Sequence, residues 1–185
     1  MITINKLIAN SINITTGPKL DEPLCFTAKE AGSTVGMEVA SEAAPEVSLE
    51  YSTDGNTWSP FVVSKKGVEG TTVTLANVDD KMWVRATSAG NTKMGSSSID
   101  YNKFVMTGKI SASGNVNTLL DQNGNATITS YCYSYLFTLC SSLTTAPELP
   151  ATTLSDGCYY GMFSVCEALT KAPELPATTL AARCY

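Results

Sequence analysis

The chain has 185 residues, 12 Lys plus Arg against 17 Asp plus Glu, a net charge of -5 and an apolar fraction of 43%. That composition supports a folded core and excludes a disordered chain. It carries no basic cluster, which argues against a nucleic-acid partner. Histidine is absent, which removes Ser/His/Asp and Cys/His nucleophile systems, His-ligated metals and imidazole acid–base chemistry.

The first stretch, MITINKLIANSINITTG, predicts no secretory signal, because Asn5, Lys6, Asn10, Ser11 and Asn13 interrupt each apolar run. No stretch approaches the roughly 18 apolar residues that a membrane helix needs, so no membrane insertion is expected. Residues 1–18 read as an arm, with Ile2, Ile4, Leu7 and Ile8 as its anchoring side chains.

Residues 19–107 predict an all-β sandwich of immunoglobulin type. Strands are expected over 24–29, 34–39, 46–52, 58–63, 71–75, 82–87 and 99–105, with apolar alternation in VSLEY and MWVRA. Asp54-Gly55 is a hairpin signal, since both residues tolerate positive φ in a tight turn. Exposed aromatics can stack on sugar faces, but Trp58 reads as packing across the hairpin turn and Trp83, in an alternating strand, reads as core. Asp54, Asp79 and Asp80 lack the spacing of a calcium loop and read as turn residues.

From residue 108 the chain repeats itself. APELPATTL occurs at 146–154 and again at 172–180. At the same offset of 26, Cys132, Cys158 and Cys184 coincide, each followed by a tyrosine, and Cys140 matches Cys166, Phe137 matches Phe163 and Leu143 matches Leu169. A fixed period of this size predicts a solenoid. Prolines 147, 150, 173 and 176 restrict LTTAPEL and LTKAPEL to short strands. Leu154, Cys158, Met162, Cys166 and Leu169 recur every three or four residues, which predicts a helix with Ser155 or Asp156 as its cap. One strand and one helix per repeat is leucine-rich-repeat geometry. The expected fold class is therefore multidomain: an Ig-like sandwich followed by an α/β leucine-rich-repeat solenoid over 108–185, with 108–131 as its N-terminal cap. Five of the six cysteines fall on the repeat as small apolar side chains, and no CxxC zinc pattern occurs. With no matching C-terminal cap, either a longer chain or an open end covered by a partner is expected.

The segment MFSVCEAL at 162–169, followed by APELPATTL, resembles the BspA-like leucine-rich repeats of gut Bacteroidetes and of phages that infect them. The resemblance covers about residues 117–185, and the preceding segment is similar to the β-sandwich module often placed before such repeats. It implies a non-enzymatic structural or recognition protein without cofactors or metals. One expectation is a phage virion surface component (head fibre, decoration protein or tail appendage). Its partners are other virion proteins or a second copy of itself, and a host-surface protein or glycan. The alternative is a bacterial cell-surface adhesin.

The expected binding face is the strand-side ladder of Thr144, Thr145 and Glu148 with Thr170, Lys171 and Glu174. Stacked repeats bring Glu148 and Glu174 to roughly 5 Å at the backbone. That distance suits a retaining glycosidase pair. The repeat itself explains both carboxylates, so an enzyme is not expected.

Overall fold

A computed structural model describes residues 22–185. Nine strands form: β1 (Leu24–Ala28), β2 (Ser33–Val39), β3 (Leu49–Ser52), β4 (Ser59–Phe61), β5 (Thr72–Leu75), β6 (Lys81–Ala86), β7 (Asn102–Thr107), β8 (Ile110–Ser113) and β9 (Leu143–Thr145). They make a six-stranded sheet in the order β4-β3-β6-β1-β8-β9 and a three-stranded sheet in the order β5-β2-β7. The first seven lie within a few residues of the strands read from the sequence, because alternation marks which side chains face inward. In β6, Met82, Val84 and Ala86 are buried, while Lys81, Trp83 and Arg85 face out.

The β3–β4 hairpin rests on Asp54. Its Oδ1 accepts the backbone N–H of Asn56 at 2.8 Å and of Thr57 at 2.7 Å, and Gly55 sits at φ 77°. These bonds hold the exposed Asp54 carboxyl well below the usual carboxylate range. On the outer face of the sheet, the Arg85 guanidinium lies 3.7 Å from the Trp58 ring centroid and its Nε bonds Glu50 Oε1 at 2.7 Å. Both tryptophans are partly buried, so Trp83 lies on the outward side of its strand, with Lys81 over its ring, and not in the core.

The expected sandwich-plus-solenoid organisation is corrected in two respects. First, residues beyond 107 do not form a separate α/β domain. β8 lies inside the six-stranded sheet, antiparallel to β1, and β9 extends that sheet in parallel with β8. One core runs from Leu24, Phe26 and Phe104 through Ile110 and Leu120 to Phe137, Cys158 and Met162. The chain is a single all-β domain, and the expected N-terminal cap at 108–131 supplies a central strand and one 3-10 turn, Val116–Leu119, instead.

Second, no α-helix occurs among the described residues. Residues 131–140 and 157–166 fold as runs of tight turns. Within each run, even-numbered N–H groups close turns onto carbonyls three residues back, as in Ser134 to Tyr131 and Tyr160 to Gly157. Odd-numbered N–H groups of the first run bond the second: Tyr131 to Asp156 O, Tyr133 to Cys158 O, Tyr135 to Tyr160 O, Phe137 to Met162 O and Leu139 to Ser164 O. One residue in four has positive φ: Tyr131, Tyr135 and Leu139 in the first layer, Gly157, Gly161 and Val165 in the second. A helix allows no such residue in its interior. The period is therefore four, closed by turns. It places Cys158, Met162 and Cys166 on one face as a helix would, which is why the spacing reads as helical.

These layers continue the smaller sheet. Met94 and Gly95 N–H bond Cys132 O, and Phe104 N–H in β7 bonds Leu136 O. Equivalent side chains stack across layers. Phe104, Phe137 and Phe163 lie 5.2 and 5.5 Å apart, and Tyr133, Tyr159 and Tyr185 lie 5.6 and 5.8 Å apart with planes within 8°. All six cysteines are buried free thiols. Burial pushes the Cys132 thiol up to about 11 and the Cys140 thiol up to about 12.

Candidate functional site

The layered turns carry a tyrosine-covered face that the sequence reading missed. Tyr131 and Tyr135 occupy positive-φ corners of the first layer, at φ 55° and 54°. Their counterparts 26 residues on are Gly157 and Gly161. The two rings lie flat over those glycines: a Cβ on Gly157 would stand 2.8 Å from the Tyr131 ring, and one on Gly161 would come to 2.5 Å from the Tyr135 ring. Glycine is required at both places by close approach as well as by φ.

Tyr160 and Tyr101 complete the patch. Tyr101 stacks on Tyr135 at 4.9 Å, Tyr135 meets Tyr160 edge-on at 5.4 Å, and Tyr131 meets Tyr160 at 6.3 Å. All four are partly exposed. Burial first, and then the neighbouring Tyr160, raise the Tyr135 phenol above its ordinary value. Like any phenol, its hydroxyl is protonated and a hydrogen-bond donor at neutral pH. The signal available in the sequence was the Tyr/Gly exchange at the repeat offset, where a large residue in one layer faces a glycine in the next.

The candidate strand-side residues divide. Thr144 Oγ1 donates to Ile110 O at 2.9 Å, tying β9 to β8. Glu148 is held by its backbone, its N–H on Gly114 O and its carbonyl on Val116 N–H. Thr145 is exposed at the end of β9. Thr170, Lys171 and Glu174 are exposed but form no strand, and no backbone hydrogen bond joins them to the first copy among the described residues. The structure does bring Glu148 and Glu174 together. With Leu149, Pro150 and Pro176 they line a cleft of about 30 Å³, room for about one water and not for a sugar ring. The anchoring candidates Ile2, Ile4, Leu7 and Ile8 lie outside the described residues.

A wider cleft of about 480 Å³ opens beside the edge strand β4, between Val39, Pro45, Leu49, Phe61 and Val68, with Asn102 at its floor. Asn102 Nδ2 donates to Pro45 O and Met94 O, both at 2.9 Å, and its Oδ1 is buried without a partner among the described residues. The bonds to two carbonyls fix the amide's orientation and tie the loop before β3 to β7. Among the described residues no group of three or more His, Cys, Asp or Glu could hold a metal ion, and no helix is long and apolar enough to cross a membrane.

Comparison with family models, curated proteins and solved structures returned no match.

Proposed function

We propose that the chain is a non-enzymatic recognition protein whose tyrosine face contacts a saccharide on a host surface. The observation that carries this reading is the contiguous patch of Tyr101, Tyr131, Tyr135 and Tyr160, partly exposed and fixed to a rigid layered backbone. Phenol rings offer an apolar face for sugar C–H groups and a hydroxyl for hydrogen bonding, and they lose little conformational entropy on binding. Fixed corners set their spacing before a ligand arrives, which lowers the ordering cost of binding. The repeat's resemblance to BspA-like repeats supports a role on the surface of a phage virion, as a head fibre, decoration protein or tail appendage.

The test is glycan-array and whole-cell binding by the wild-type chain and by a Tyr101→Ala/Tyr160→Ala variant, with far-UV circular dichroism to confirm folding. Neither residue faces a glycine that needs its ring, so the fold is expected to persist and binding to fall at least tenfold. A folded variant with unchanged binding refutes the tyrosine face. Loss of binding in Glu148→Lys/Glu174→Lys instead moves the site to the strand-side face.

A further inference from the structure

The cleft beside β4 opens between the two sheets. Val39 of β2 and Asn102 of β7 line it from the smaller sheet, and Leu49 of β3 and Phe61 of β4 from the larger. The loop before β3 adds Ala44, Pro45 and Val47 to the lining. These small side chains leave space that a bulkier residue would fill. The volume of about 480 Å³ is that of a small-molecule site.

Backbone bonds fix the walls before a ligand arrives. Val39 N–H bonds Ser64 O at 3.0 Å, Ala40 N–H bonds Tyr101 O at 2.9 Å, and Thr87 N–H bonds Ser48 O at 3.0 Å. Lys65 Nζ lies 3.1 Å from Glu46 Oε1, linking the segment after β4 to the loop before β3. A preformed cleft lowers the ordering cost of binding.

Three features set the chemistry of an occupant. Val62 and Val68 are 42% and 39% exposed, and both line this cleft. Single exposed valines are ordinary on a surface, but two in one concave lining make an apolar seat. Asn102 is 1% exposed, with its Nδ2 committed to two carbonyls and its Oδ1 unpartnered among the described residues. A buried acceptor left unpaired is costly, so a donor that reaches it is favoured. The charged lining residues are Glu42, Glu46 and Lys65. Lys65 and Glu46 pair with each other, and Glu42 has no ion-pair partner among the described residues. An anion would meet the Glu42 carboxylate, and a cation drawn to the floor would exchange its water for one neutral amide.

We propose that this cleft binds a neutral, largely apolar small molecule that carries an N–H or O–H donor. The apolar body rests against Val62 and Val68, and the donor bonds Asn102 Oδ1. The site goes beyond the tyrosine-face reading and is independent of it, since none of the four patch tyrosines lines the cleft.

The test is a two-dimensional NMR titration of the isotope-labelled full chain with two probes. Indole is an apolar ring system with an N–H donor, and indene has the same shape without the donor. Indole is expected to shift the Asn102 side-chain amide and the backbone amides of Val39, Leu49 and Phe61 saturably. Indene is expected to bind roughly three- to tenfold more weakly, the worth of one hydrogen bond. A Val62→Asp/Val68→Asp variant, altered only at exposed side chains and checked for folding by circular dichroism, is expected to bind indole at least tenfold more weakly. Absence of saturable shifts up to roughly millimolar indole overturns the proposal. Shifts confined to residues outside the cleft overturn it too. Equal affinity for indole and indene overturns the role of Asn102, and a folded variant that binds as well as the wild type overturns the apolar seat.

Discussion

Gly161→Ala separates the turn architecture from the helix that the spacing suggests, because the two predict opposite signs. In a helix interior, replacing Gly by Ala stabilises by about 0.8–1.0 kcal/mol. In the observed layer, Gly161 sits at φ 60° and its new Cβ would come to 2.5 Å from the Tyr135 ring. The left-handed conformation alone costs an alanine roughly 1–2 kcal/mol. Moving the Tyr135 ring aside also disturbs its stack on Tyr101, and such pairs contribute about 0.5–1.5 kcal/mol. The expected total is a loss of about 1.5–3.5 kcal/mol. At about 2–4 °C per kcal/mol for a chain of this size, the melting temperature falls by about 3–14 °C. The assay is thermal and urea unfolding monitored by circular dichroism. Adding Tyr135→Ala removes the clash but leaves the φ cost, so the double variant should lose less than the sum of the single losses. A neutral or stabilising Gly161→Ala refutes the turn reading.

The core carries further expectations. Phe137 is fully buried between Phe104 and Phe163, so Phe137→Ala should cost about 3–5 kcal/mol in urea unfolding. The two stacked tyrosines beneath the layers should differ. Tyr133 Oη donates to Asn117 Oδ1 at 3.0 Å, whereas the Tyr159 hydroxyl is buried without a partner among the described residues. Tyr133→Phe is expected to lose about 1 kcal/mol, and Tyr159→Phe to be neutral or stabilising. The buried thiols should resist Ellman's reagent at pH 8 in the folded chain and react fully after unfolding. Their titration contributes to the loss of stability in alkali. Between pH 9 and about 11–12 the unfolded chain releases thiol protons that folded Cys132 and Cys140 retain. Stability therefore falls as pH rises through that window and does not vary with the protonation of these thiols below it. Asp54 acts in the opposite sense: its lowered value contributes stability above the ordinary carboxylate range that is lost in stronger acid. Its side-chain carbon chemical shift should stay flat down to about pH 3, below the ordinary value near 3.9.

The first seven strands were legible because alternation and turn residues are local signals: MWVRA alternates, and Asp54-Gly55 turns, whatever lies across the sheet. The 26-residue offset was equally legible, and with it the pairing of Phe137 with Phe163 and Tyr133 with Tyr159. The helix was misread because Cys158, Met162 and Cys166 share a face under a period of either 3.6 or four. Gly157 and Gly161, also four apart, carried the discriminating information.

Two matters were decided only by the tertiary structure. Whether residues beyond 107 form their own core depends on where β8 pairs, and β1 takes it through a register of contacts more than 80 residues apart in sequence. The burial of a leucine likewise depends on the layer that stands next to it in space. APELPATTL is written twice with the same nine residues, yet Leu149 is enclosed and Leu175 is open. Local sequence determines the conformation each copy prefers and the side chains it presents. Burial is a property of neighbours, and identical segments differ in exposure when one has a layer beside it and the other does not.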